Sequence, residues 1–275
     1  MIGVFDSGIG GLTVARALRR AMPRARILYF GDVARMPFGN KSAATVTQYG
    51  REISRYLIGR GARLLVIACN TVSAVAADTL RRELQVPVFD VISPAVRAAT
   101  ALPGVWRIGV IGTRGTVASG AYQRAIAAVA DRRTRRVHAV ACPMFVPIVE
   151  EGFGGTPEGR AIVRRTLRSL AAARPDAVIL GCTHYPLLQP AIRAALPGAT
   201  LVDSRTVAEE VRQALAADPV LDAACRAGRR GTLEVVVTDR TEHFVRFAAR
   251  IMHQPVRCRV VPHEALALPA GPPAR

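Results

Sequence analysis

The sequence is short of lysine, of aromatic residues, of acidic residues and of long apolar runs, and each shortage removes a class of function. Lys41 is the single lysine among 38 basic residues, against 20 acidic ones, for a formal charge of +18. Such a charge invites a nucleic-acid reading. The arginines that carry it are scattered along helical faces such as Arg16-Ala17-Leu18-Arg19-Arg20 and Arg160-Ala161-Ile162-Val163-Arg164-Arg165. Few aromatics lie among them to stack on bases. A solvated basic surface that draws in anionic small molecules is the better reading, and nucleic acid is not expected as a partner. No stretch of about 18 consecutive apolar residues is present, so no membrane span is expected. The opening Met1-Ile2-Gly3-Val4-Phe5-Asp6 reads as a first strand, not as a secretory leader. Five cysteines, an odd and sparse set without zinc-ribbon spacing, argue against a disulfide framework and against a metal site. Reduced thiols in a cytoplasmic enzyme are the simpler expectation.

What is present is a repeated α/β pattern. A chain of 275 residues accommodates two modest domains. Short apolar runs, each followed by a turn and a helical pattern, predict strands over 2–5, 26–31, 63–68 and 86–91 and helices over 11–21, 43–59 and 71–84. This alternation predicts a parallel sheet covered on both faces. The plan then restarts. Ile108-Gly109-Val110-Ile111-Gly112-Thr113 echoes Ile2-Gly3-Val4-Phe5-Asp6-Ser7, and Ala177-Val178-Ile179-Leu180-Gly181-Cys182-Thr183 echoes Leu65-Val66-Ile67-Ala68-Cys69-Asn70-Thr71. Asp6 precedes Cys69 by 63 positions and Gly112 precedes Cys182 by 70, as duplication of one unit would give. The tail holds helices over 207–216 and 242–251 and strands over 233–238 and 256–261. Expected, then, are two pseudo-symmetric parallel-sheet α/β domains with the site in the cleft between them. Residues 1–93 with 208–261 form one, 94–207 the other, and 262–275 a frayed tail rich in Pro and Ala.

Ligands of open α/β sheets sit beyond the carboxyl ends of the strands. Asp6-Ser7-Gly8, Gly31-Asp32, Cys69-Asn70-Thr71 and Cys182-Thr183-His184 fall there. Facing halves would present Cys69 and Cys182 from opposite walls. Inversion of a stereocentre needs a base on one face and an acid on the other. Thiols suit both roles, because their reference pKa of about 8.5 can be lowered at a helix N-terminus. Asn70, Thr71 and Thr183 add donors fitted to a carboxylate. Asp6 is a candidate to receive a substrate ammonium or to assist Cys69, with a helix cap as the alternative, and Ser7 shares that ambiguity. Gly8-Ile9-Gly10-Gly11 is an incomplete phosphate-loop pattern, and its glycines are expected to let the backbone approach a small substrate. His184 can polarise a thiol or shuttle a proton. Glu150 and Glu151 follow a buried run, and one of them is a candidate to enter the cleft. Cys142, Cys225 and Cys258 read as packing residues.

Several of these blocks together resemble the glutamate racemases of the cofactor-independent aspartate/glutamate racemase superfamily. They are Phe5-Asp6-Ser7-Gly8-Ile9-Gly10-Gly11-Leu12, Gly31-Asp32-Val33-Ala34-Arg35-Met36-Pro37-Phe38-Gly39-Asn40-Lys41-Ser42, Ala68-Cys69-Asn70-Thr71 and Gly181-Cys182-Thr183-His184-Tyr185-Pro186-Leu187-Leu188. Weaker matches are Thr116-Val117-Ala118-Ser119-Gly120-Ala121-Tyr122 and Val146-Pro147-Ile148-Val149-Glu150-Glu151-Gly152. The resemblance implies racemisation of glutamate by Cys69 and Cys182, assisted by Asp6 and His184. Ser7, Pro37, Phe38, Gly39, Asn70, Thr71 and Thr183 would contact substrate. It further implies no pyridoxal phosphate, no metal, a homodimer, and D-glutamate supplied to peptidoglycan. The family usually carries Tyr where this chain has Phe38, which keeps aspartate or another acidic amino acid open as substrate. Some relatives carry an N-terminal extension that senses a cell-wall precursor; this sequence opens directly at its first strand, so such sensing is not expected. A non-catalytic basic binding protein is the remaining reading, and paired cysteines would be superfluous in it.

Overall fold

The computed structural model describes residues 1–129 and 134–266. Ten strands form two sheets: β1 Ile2–Asp6, β2 Arg26–Gly31, β3 Leu64–Ile67, β4 Val88–Asp90, β5 Arg107–Gly112, β6 Arg136–Ala141, β7 Ala177–Gly181, β8 Thr200–Asp203, β9 Thr232–Val237 and β10 Cys258–Val260. The first sheet runs β10-β9-β2-β1-β3-β4 and the second β6-β5-β7-β8, with every strand pair parallel. The order β2-β1-β3-β4 therefore recurs as β6-β5-β7-β8, and β3 and β7 occupy equivalent places. The fold is thus two parallel-sheet α/β domains. The last two strands, β9 and β10, join the first sheet rather than the second.

Strand alternation sets the layers. In the first sheet Phe5, Phe30, Ile67 and Val236 point to one face, where Val46, Ile53 and Leu57 of helix Ala43–Gly59 and Val72, Ala76 and Leu80 of helix Asn70–Glu83 cover them. The intervening Val4, Tyr29 and Val66 point to the other face, against Leu12, Val14 and Leu18 of helix Leu12–Ala21 and Phe244, Phe247 and Ile251 of helix Glu242–Met252. Burial on both faces is why β1 and β7 read as unbroken apolar runs. That second core continues into the other domain through Ile111, Val178 and Leu180. The domains therefore share apolar packing and are not joined by a linker alone.

Tail residues 262–275 were expected to fray, but His263–Leu266 forms a short 3-10 turn. Leu266 enters the first sheet's core at 5% exposure, and that burial fixes the turn. Residues 267–275 of the expected tail lie outside the described residues. Among the described residues no helix is long and apolar enough to cross a membrane.

Candidate active site

Each cysteine stands just past an inner strand of its sheet. Cys69 follows β3 by two residues and is the residue before helix Asn70–Glu83, with φ −71° and ψ 120°. Its carbonyl opens the helix by accepting from Ser73 N–H at 2.8 Å. Cys182 follows β7, and its carbonyl accepts from Tyr185 N–H at 3.1 Å at the start of the 3-10 turn Tyr185–Leu188. Both are buried and unpaired.

Beside Cys69 stands a buried carboxyl, Asp6. Its thiol donates to Ser7 Oγ at 3.6 Å. Asp6 Oδ2 accepts from Gly11 N–H at 2.9 Å and Gly8 N–H at 3.3 Å, while Oδ1 is buried with no partner among the described residues. Burial pushes the Cys69 thiol up to about 12, Asp6 pushes the same way, and the Val72 and Ser7 amides pull back. Burial also raises the Asp6 carboxyl, against the opposing pull of His184. The mutual influence of Asp6 and His184 places the two strand ends in one electrostatic environment.

Around Cys182 the charge is positive. Its sulfur lies 3.9 Å from His184 Nδ1, and His184 Nε2 lies 2.9 Å from Glu150 Oε1. Burial disfavours the charged ring, yet Cys182 and Glu150 outweigh it and hold the imidazole pKa up at about 10. Phe247 stacks on the ring at 6.0 Å between centroids and 17° between planes, which fixes its orientation. Glu150 ends helix Phe145–Glu150 and is the acid of the pair that reaches the site; Glu151 is exposed to solvent.

The remaining predicted residues divide by what they touch. Thr71 Oγ1 meets Thr113 Oγ1 at 3.0 Å and Thr116 Oγ1 at 3.3 Å, joining the domains in a hydroxyl cluster. Asn70 is engaged at both ends of its amide: Nδ2 donates to Tyr122 OH at 2.8 Å, and Oδ1 accepts from Ser204 Oγ at 3.0 Å. Gly39 packs against Thr113, where an added Cβ would meet Thr113 Cβ at 2.6 Å. Pro37 is exposed and follows a cis peptide bond. Phe38 is buried, with its ring 5.2 Å from that of Tyr49. Thr183 is buried, and its carbonyl accepts from Thr13 Oγ1 at 3.4 Å. The glycine turn also lies close to the second domain. A Cβ on Gly10 would sit 2.4 Å from Thr183 Oγ1 and 2.6 Å from His184 Nδ1, so its backbone approaches the opposite wall.

Thr113, Thr116, Tyr122, Ser204 and Phe247 were not singled out from sequence. Thr113 had a signal: in the internal echo it occupies the place of Ser7. Among the described residues no group of three or more His, Cys, Asp or Glu side chains converges as a metal site. The arrangement offers two thiols at equivalent strand ends, one beside a carboxyl and one beside an imidazole, together with hydroxyl and amide donors. It suits removal of a proton from one side of a small anionic substrate and return from the other.

Comparison with known proteins gives a consistent picture. The model of the Asp/Glu/Hydantoin racemase family matches residues 12–213. The glutamate racemase of Thermus thermophilus is 47% identical over 239 residues, covering 86% of this chain and 87% of that one. The crystal structure of glutamate racemase from Thermus thermophilus in complex with β-chloro-D-alanine superposes with a TM-score of 0.84 at 43% identity, covering 96% of this chain and 97% of the other. That of the Francisella tularensis glutamate racemase in complex with D-glutamate gives 0.87 at 31% identity, covering 96% and 98%.

Proposed function

Because the chain belongs to the Asp/Glu racemase family and is therefore an isomerase, we propose that it interconverts L- and D-glutamate with Cys69 and Cys182 as the acid/base pair. The observation that carries this reading is their equivalence: each cysteine stands just past an inner strand, β3 or β7, of two sheets with the same order. The β1 and β7 ends also meet, through Gly10 against Thr183 and His184. One sulfur, as thiolate, removes the Cα proton; the other, as thiol, protonates the opposite face. The roles exchange when the other enantiomer binds. Asp6 assists at Cys69 and His184 at Cys182. Hydroxyl and backbone donors at Ser7, Gly39, Asn70, Thr71 and Thr183, with the Pro37–Phe38 loop, hold the carboxylates, and the helix N-terminus after Cys69 favours negative charge there. The reading assigns no cofactor and no metal.

It also takes residues 1–93 with 208–261 and residues 94–207 as the two domains, in keeping with the membership of the sheets. A homodimer working in the cytoplasm and supplying D-glutamate to peptidoglycan completes the proposal. Glutamate is preferred over aspartate on the strength of the relatives, whose names specify it.

Cys69→Ser and Cys182→Ser test it. Each is expected to lower racemisation by about 10³-fold or more while the fold persists. In D₂O each variant should still exchange the α-proton of one enantiomer, a different one in each case, because one base survives. Wild-type racemisation by either variant overturns the two-thiol assignment. Faster turnover of aspartate than of glutamate by the unmodified enzyme overturns the substrate.

A further inference from the structure

The reaction uses the carboxyl ends of the strands; the amino ends of β2 and β9 carry a different feature. A groove of about 570 Å³ opens there, lined by Arg24, Arg212, Arg226, Arg229 and Arg230 against one acid, Asp222. Met22 and Leu215 give it an apolar part. Arg226 is paired with Asp222, and Arg212 with Glu209 at 2.6 Å. Arg24, Arg229 and Arg230 face no acidic partner among the described residues.

The backbone holds these three arginines close. Arg24 O accepts from Ala227 N–H at 2.9 Å, Pro23 O from Gly231 N–H at 2.9 Å, and Ala25 O from Thr232 N–H at 3.1 Å. Gly231 permits the approach, since a Cβ there would lie 2.5 Å from Ala25 O. Like charges gathered in a concavity repel one another, and low-dielectric walls concentrate their field. Guanidinium forks match phosphate oxygens in pairs. A lone carboxylate would leave most of this charge unanswered. A nucleic acid calls for a longer basic track with aromatic stacking, and no aromatic residue lines the groove.

We propose that this groove binds a small ligand carrying two or more linked phosphates, at a site separate from Cys69 and Cys182. The test is calorimetric titration of the purified enzyme with sodium tripolyphosphate, orthophosphate and a short DNA duplex, at an ionic strength of about 0.15 M. Tripolyphosphate should bind saturably and more tightly than orthophosphate. The variant R24S/R229S/R230S should bind it at least about tenfold more weakly. A control, R164S/R165S/R168S, removes the same charge from exposed positions on the second domain and should bind as the wild type does. Both variants should keep full racemase activity, because none of these residues belongs to the catalytic machinery. R229S alone should weaken binding in part, and it decides the matter if the triple variant does not fold. Equal weakening in the two triple variants, absence of saturation, or tighter binding of the duplex than of tripolyphosphate overturns the proposal.

Discussion

At the end of β3, Cys69 lies against Ser7 and near the buried Asp6 carboxyl; at the end of β7, Cys182 lies against His184, which is paired with Glu150. The strand order around them is the same, but one sulfur has a buried carboxyl beside it and the other an imidazole whose pKa is held up at about 10. Burial and Asp6 keep the resting proton on Cys69, while the imidazolium of His184 supplies positive charge beside Cys182. A duplicated scaffold has been given two different local chemistries. The proposed two-thiol reaction, with a base on one face and an acid on the other, calls for such unlike surroundings.

The most severe way to break this comparison, after replacing a cysteine, is to neutralise one helper at a time. Asp6→Asn and His184→Asn should each lower kcat/KM by about 10²–10³-fold. Enantiomers have equal free energy in water, so kcat/KM must fall equally in both directions in either variant. The asymmetry has to be sought in isotope effects instead. With α-deuterated substrate, Asp6→Asn should enlarge the effect for the enantiomer whose proton goes to Cys69. His184→Asn should enlarge it for the other enantiomer. The same pattern in both variants would mean that the two walls are not chemically distinct.

Much of the scaffold was legible in the sequence, for a physical reason. Strands buried on both faces read as apolar runs, so β1, β2 and β3 fall within a residue or so of their expected places. The edge strand β6, Arg-Val-His-Ala-Val-Ala, is only half-buried and gave no such run. The cysteines were legible because an echoed strand announces its own end. Glu150 and Glu151 could not be separated by sequence; adjacent helical residues differ by about 100° in direction, and only the packing of the helix decides which one reaches His184. Ser204 and Phe247 contact the site from distant parts of the chain, and no local pattern marks them; Tyr122 ends a weaker family block, but nothing in that block tied it to Asn70.

A smaller disturbance acts on the seam where the β1 turn meets the Cys182 wall. Gly10→Ala places a methyl where Thr183 Oγ1 and His184 Nδ1 now stand, at 2.4 and 2.6 Å. Overpacking of this kind costs about 1–3 kcal/mol or displaces the neighbour. Movement of His184 should lower kcat by about ten- to a hundredfold, since a misplacement of about 1 Å can cost that much. Gly59→Ala, which meets nothing within 4 Å, serves as the matched control and should leave activity unchanged. Equal activity in the two variants would show that the seam does not position His184.

The finest adjustment is Glu150→Gln, which keeps the shape of the helper and removes its charge. The pKa of His184 is raised from 6.5 to about 10, so the ring is cationic at neutral pH. The stability gained from that charge is fully present below about 6.5 and is lost as pH rises through about 10. Activity that relies on the imidazolium should fall over the same alkaline range. Without the carboxylate, one of the two groups favouring the cation is gone, while the opposing effect of burial remains. The alkaline limb of kcat/KM should then move to lower pH, with less than about a tenfold loss at neutral pH. The alkaline loss of thermal stability should move to lower pH in parallel. A limb that stays in place while the wild-type fold is retained would show that Glu150 holds the ring by geometry alone, and the positive side of the site would then rest on Cys182 and His184 without it.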